Sequence, residues 1–244
     1  MDLDDLSTCA LFLDLDGTLI DIAATPDGVR IPEGLTALLS GLMRDLGGAV
    51  AILTGRPIED VDRLLAPVVP VAAGVHGAEL RSLPHGKVVW RAVPIDDEIV
   101  QAVHRLALEH PGTIVETKRA SVALHYRQAP VLVSQLEAAL LRILAEAPDH
   151  LILARGRQVL EIVPRHVSKG AALETIMGLP AFAGRRPIMI GDDIPDLSAL
   201  EVADRLGGRG LKVAGEQFAR TEAQFSGPAE VRAWLTCLAE KLTA

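Results

Sequence analysis

The chain has 244 residues, of which 49% are hydrophobic and 23% charged, and its formal net charge is −8 at pH 7. That length suits one large domain or a domain carrying a smaller insert, and with aromatics at 3% the core must come from Ala, Leu, Val and Ile. An acidic balance without a Lys/Arg-rich run argues against nucleic acid or an anionic membrane as partner, yet is compatible with a small anionic substrate at a locally positive site.

The opening MDLDDLSTCA is acidic where a signal peptide would be basic. No apolar run reaches the roughly 18 residues of a membrane span. Cys9 and Cys237 lie far apart in no metal-ligand spacing, which suits a reducing compartment. The expectation is a cytoplasmic protein with no membrane segment and no obligatory protein partner.

ALFLDL (10–15) reads as a buried strand. Pro32 to Leu46 places apolar residues at 3–4 spacing behind a proline and predicts a helix. GGAVAILTG (47–55) is a second buried strand, residues 57–65 a short helix, and VPVAAGVHG (69–77) a third strand. Wholly apolar strands alternating with helices imply a parallel sheet covered on both faces. The pattern then changes. A hairpin is expected around Pro84-His85-Gly86, a helix over 96–109, paired strands in TIVETKRASVALHYR, a helix in VLVSQLEAALLRILAEA, and a hairpin turning at Arg155-Gly156-Arg157. From Val167 the first pattern returns. Ser168 is a candidate N-cap for a helix, RPIMIGDD is a strand, residues 196–202 are helical, GLKVA is a short strand, and 228–242 is a closing helix. The expected architecture is a Rossmann-like α/β core over residues 1–93 and 167–244, with an α+β insert over 94–166.

Carboxylates and a lysine recur where the core strands end. Asp14 and Asp16 follow the first strand, Thr54 the second, Lys169 opens the helix after the insert, and Asp192, Asp193 and Asp196 follow a later strand. In open α/β sheets the ligand crevice lies at those carboxyl ends, so these positions can converge. So many aspartates in one crevice repel one another unless a cation meets them, and Mg²⁺ suits oxygen ligands plus a phosphate. Asp14 and Asp192 are the natural side-chain ligands, and at the turn made by Gly17 the main-chain carbonyl of Asp16 is a candidate third. Lys169 at a helix start, the Thr54 hydroxyl and the amides around Gly55 can hold phosphoryl oxygens. An aspartate nucleophile completes a phosphoryl-transfer site.

DLDGTL, the strand-ending Thr54, Lys169 and GDDIPD resemble the four motifs of the haloacid dehalogenase superfamily of phosphatases. DLDGTLIDIAATPD, ILTGR, GVHGAEL, ETKRASVALHYRQAP, RQVLEIVPRHVSKG, IGDD and LGGRGLKVA further resemble the trehalose-6-phosphate phosphatase family across nearly the whole chain. The resemblance implies a C2-type cap in the insert and Mg²⁺-dependent hydrolysis of trehalose 6-phosphate through an aspartyl-phosphate. By position it implies Asp14 as nucleophile and Asp16 as general acid/base, the latter kept protonated by a neighbouring carboxylate. It makes Asp192 a metal ligand with Asp193 and Asp196 in supporting roles, and Thr54 and Lys169 phosphate-binding. It gives the sugar hydroxyls to Glu116, Lys118 and Glu161. Arg56 reads either as a substrate contact or as an ion-pair partner, and His76 either as a site residue or as a turn histidine. His125-Tyr126-Arg127 reads as serving the fold of the insert. The family's GDDxTDE pattern is here GDDIPDL, so Pro195 and Leu197 replace a hydroxyl and a carboxylate. Rival readings are a phosphatase for sucrose 6-phosphate or mannosyl-3-phosphoglycerate, a phosphomutase, and a non-enzymatic sugar-phosphate sensor.

Overall fold

The computed structural model describes residues 8–23, 28–156 and 158–243. The acidic start 1–7, Ala24–Asp27 of the opening motif and Arg157 of the second predicted hairpin turn lie outside them. The chain forms two compact units: a first running to Trp90 and resuming at Ser168, and a second, Arg91–Val167.

The first unit is built on a seven-stranded sheet. In chain order its strands are β1 (Cys9–Leu13), β2 (Val50–Leu53), β3 (Val71–Gly74), β4 (Glu79–Arg81), β5 (Val89–Trp90), and later β10 (Arg186–Gly191) and β11 (Arg209–Lys212). The spatial order is β11-β10-β1-β2-β3-β4-β5. The five strands from β11 to β3 pair in parallel, whereas β4 and β5 extend the edge antiparallel as the predicted hairpin. Every residue of β1, β2 and β3 is buried, as the apolar runs require when both faces of a sheet are covered. The cover comes from α1 (Leu35–Asp45), α2 (Ile58–Leu65), α5 (Lys169–Met177), α6 (Ile194–Arg205) and α7 (Pro228–Thr243). Leu39, Leu42, Leu173, Ile176 and Leu235 join the strand residues in one apolar core.

In the second unit β6 (Ile114–Thr117), β7 (Val122–His125), β8 (Leu151–Gly156) and β9 (Val159–Pro164) form an antiparallel sheet of order β6-β7-β9-β8. Its helices are α3 (Asp97–Leu108) and α4 (Val133–Ala145). Val103, Leu136 and Leu140 of these helices pack with Val122, Leu124, Leu160 and Ile162. Strand alternation therefore sends Ala123, His125 and Glu161 to the other face.

Three expectations needed correction. The third strand was expected to run through Gly77 but stops at Gly74, where a 3₁₀ turn over Val75–Gly77 takes its place. The amides of Val75 and His76 turn back to the carbonyls of Arg56 and Thr54, which ends the ladder. In the second predicted hairpin, Arg155 and Gly156 still pair with Leu160 and Val159, so the turn falls later, where Gln158 has φ 54°. The helix expected over 196–202 begins at Ile194, because Pro195 is tolerated in a first turn whose amides need no helical partner. Among the described residues no helix is long and apolar enough to cross a membrane.

Candidate active site

β1 delivers Asp14 at its carboxyl end, and the chain then turns tightly. Gly17 has φ +85°, and a Cβ there would stand 2.2 Å from Asp192 Oδ2, so the close approach of this loop to Asp192 needs glycine. Thr18 follows, fully buried, and its Oγ1 donates to Asp192 Oδ1 at 3.1 Å. The loops after β1 and β10 are thereby joined side chain to side chain.

Lys169 is the first residue of α5. Ser168 caps that helix by accepting from the Ala171 amide at 3.1 Å. Gly170 lets α5 approach α6 closely: its amide donates to Ser198 Oγ at 3.1 Å, and a Cβ on it would lie 2.6 Å from the Ser198 carbonyl oxygen. The buried Lys169 Nζ donates to Asp14 Oδ1 at 2.5 Å and to Asp196 Oδ1 at 2.6 Å. Asp196 Oδ2 accepts from the amides of Asp192 and Asp193, both at 3.1 Å. Asp196 is thus a helix-capping residue and the anchor of Lys169 at once. Asp193 serves as the N-cap of α6, its Oδ1 accepting from Ile194 N at 2.8 Å.

Among the described residues, the Lys169 ammonium contacts two buried carboxylates, Asp14 and Asp196, and a third, Asp192, lies beside them. The excess of negative charge governs the electrostatics. Burial pushes Asp14 well above the usual carboxylate range; Asp196 and Asp192 push it the same way, against the pull of Lys169. Burial, then Asp196, pushes Asp192 up to about 6. For Lys169 burial acts downward, but attraction to Asp14 and Asp196 outweighs it, and the ammonium is held above its ordinary value. Carboxylate oxygens of Asp14, Asp192 and Asp196 lie within 4.8 Å of one another, an all-oxygen set that fits a hard divalent cation. Asp196 already spends both oxygens on Lys169 and two amides, which leaves Asp14 and Asp192 as the better donors.

Asp16 departs from its expected surroundings. Its carboxylate faces a guanidinium rather than another carboxylate: Arg56 Nε donates to Oδ2 at 2.5 Å and Nη2 to Oδ1 at 2.7 Å. Arg56 is therefore an ion-pair partner of Asp16. Thr54 is buried at the end of β2, where its Oγ1 accepts from the Arg56 amide at 3.1 Å. His76 packs its ring against Gly55, and its amide donates to the Thr54 carbonyl.

Glu116, Lys118 and Glu161 gather in the second unit. Lys118 Nζ donates to Glu161 Oε1 at 3.3 Å and lies 4.0 Å from Glu116 Oε1. Ser121 Oγ donates to Glu161 Oε1 at 2.6 Å, and His125 Nε2 lies 2.9 Å from Glu116 Oε2. The bond from His125 holds Glu116 below its usual carboxylate range. Thr18, Ser121 and the contact of His125 are additions to the residues that the sequence singled out. A trace of Thr18 stood in DLDGTL; cross-strand register alone reveals the role of Ser121 and the partner of His125.

The chain matches the family model described as trehalose-phosphatase over residues 12–226. A probable trehalose-phosphate phosphatase of Sinorhizobium fredii is 41% identical over 225 residues, which covers 92% of this chain and 84% of that protein. The trehalose-6-phosphate phosphatase of Escherichia coli is 37% identical over 235 residues, covering 96% and 87%. Among solved structures, the C-terminal domain of Candida albicans trehalose-6-phosphate phosphatase superposes with a TM-score of 0.81 at 18% identity, covering 96% of this chain and 92% of that one. The last likeness is one of fold, the haloacid-dehalogenase-type α/β arrangement.

Proposed function

This chain belongs to the trehalose-phosphatase family, and on that premise we propose that it hydrolyses trehalose 6-phosphate to trehalose and phosphate through an aspartyl-phosphate on Asp14. The observation that carries this reading is the Lys169 ammonium, 2.5 Å from Asp14 and 2.6 Å from Asp196, at the carboxyl end of β1 beside Asp192. One Asp14 oxygen is held by Lys169 and the carboxylate is oriented for attack through the other.

In this reading Asp14 attacks phosphorus in line. The bond from phosphorus to the sugar oxygen breaks, and its electron pair leaves with that oxygen, which takes a proton from Asp16. Asp16 leaves its Arg56 partner and takes up a proton from solvent before it meets the leaving group. As a carboxylate it then accepts a proton from water, whose oxygen attacks the aspartyl-phosphate and returns Asp14 to its free form. Lys169 and the Thr54 hydroxyl meet the phosphoryl oxygens. Asp14, Asp192 and the main-chain carbonyl of Asp16 would hold a magnesium ion, which when bound offsets the charge of the carboxylates and of the phosphoryl group. Asp193 and Asp196 support that arrangement through the α6 cap. We assign the insert expected at residues 94–166, which falls within the second unit (Arg91–Val167), as the cap, with sugar-hydroxyl contacts from Glu116, Lys118 and Glu161. Arg56 and His76 complete the wall around the phosphoryl site. So sparse a use of cysteine, Cys9 buried and Cys237 exposed, suits work in the reducing cytoplasm.

The test is phosphate release from trehalose 6-phosphate, sucrose 6-phosphate and mannosyl-3-phosphoglycerate, with Mg²⁺ or EDTA, for wild type and Asp14→Asn. Preference for trehalose 6-phosphate, lost in EDTA and in the variant, is the expected result. Substantial turnover by Asp14→Asn overturns the nucleophile. Preference for another sugar phosphate overturns the substrate and leaves the chemistry standing.

A further inference from the structure

The register of the second sheet sets Glu116, Ala123 and Glu161 side by side across β6, β7 and β9. Residues two apart on a strand share a face, so Ser121, Ala123 and His125 look toward this row, while Val122 and Leu124 join the helices. Ser121 and His125 therefore flank Ala123 and reach the two carboxylates on either side of it. Their surroundings differ. The His125 and Glu116 side chains are 39% and 50% exposed, where water competes for such a pair. Ser121 and Glu161 are 1% and 6% exposed.

A carboxylate as deep as Glu161 must have its charge met by donors. Ser121 Oγ lies nearer to Oε1 than Lys118 Nζ does, at 2.6 Å against 3.3 Å. Lys118 is a point charge on a flexible four-carbon stem and follows wherever the carboxylate goes. Ser121 is a hydroxyl on a single rotatable bond beside a strand, so it fixes a direction as well as supplying a proton.

We propose that Ser121 is a positioning residue for substrate selection: its hydroxyl fixes Glu161, and through Glu161 the place of Lys118, so that both meet the sugar hydroxyls already set. This rests on the trehalose 6-phosphate reading given above. Binding groups that are already ordered spare the complex the cost of ordering them, so the effect falls on recognition of the sugar. Without the hydroxyl, Glu161 is drawn toward the Lys118 ammonium and the spacing of the pair changes.

The experiment compares kcat/KM for trehalose 6-phosphate and for p-nitrophenyl phosphate in wild type, Ser121→Ala, Ser121→Thr and Glu161→Gln, with thermal unfolding as the check on folding. Ser121→Ala is expected to lower the ratio of sugar to aryl phosphate about tenfold, through KM, as fits one lost hydrogen bond to a charged group. Ser121→Thr, which keeps the hydroxyl, retains most of the ratio. Ser121→Cys, with only a weak donor, gives the same test should the alanine variant fail to fold. An unchanged ratio, or equal losses on both substrates, overturns the proposal. If Glu161→Gln also leaves the ratio unchanged, the sugar-binding assignment has failed and the proposal goes with it. If Glu161→Gln collapses the ratio while Ser121→Ala does not, the role of Ser121 alone has failed.

Discussion

Lys169 in the first unit and Lys118 in the second each stand between two carboxylates, and the likeness ends there. Lys169 contacts Asp14 and Asp196 at 2.5 and 2.6 Å, with side chains 5%, 6% and 0% exposed. Lys118 contacts Glu161 at 3.3 Å and lies 4.0 Å from Glu116, whose side chain is half exposed. The first cluster also carries the additional buried carboxylate of Asp192, whereas Ser121 and His125 supply the second with neutral or weakly basic donors. One charge pattern is therefore suited to two kinds of chemistry. Deep burial with uncompensated negative charge favours a cation and a phosphoryl group. Partial exposure and longer contacts favour neutral hydroxyls, which exchange with water at small cost.

The comparison breaks most sharply at Asp14. Asp14→Asn is expected to reduce kcat by about 10⁴-fold or more while the fold persists, read by steady-state phosphate release and circular dichroism. No substitution in the second cluster should approach that loss. Lys169→Met comes next. It leaves Asp14 and Asp196 without their shared cation, so stability should fall by about 3–5 kcal/mol in chemical denaturation of the metal-free protein.

A third expectation concerns pH. Asp192 titrates at about 6 in the fold against 3.8 ordinarily, burial being the main cause. Between those values the folded chain keeps a proton that the unfolded chain has lost. Its contribution to stability is complete below the lower value and disappears as pH rises through the upper one, at a slope of up to about 1.4 kcal/mol per unit. Denaturation in EDTA from pH 4 to 7 should show that decline, and Asp192→Asn should flatten it; parallel curves for both proteins would refute the assignment. The smallest effect on stability belongs to Lys118→Met, at about 1 kcal/mol, because Ser121 still holds Glu161. Its signature is a raised KM for trehalose 6-phosphate against p-nitrophenyl phosphate. A stability loss matching that of Lys169→Met would erase the contrast between the two clusters.

The sequence by itself determined the repeating elements and the places where charge interrupts them. Apolar runs such as ALFLDL and RPIMIGDD state their own burial, and a carboxylate just past such a run is legible because burying charge needs a reason. What tertiary structure alone decided is which charge meets which. Asp196 is three residues from the Asp193 cap that it completes, a local matter, but its other oxygen meets a lysine 27 positions away. Arg56 finds Asp16 across 40 positions, and Ser121 finds Glu161 across 40 as well. Local propensity and periodicity act over a few residues, whereas these pairings follow from strand order and register. Those are fixed by how the whole apolar core packs, and only then do side chains from distant segments come within hydrogen-bonding reach.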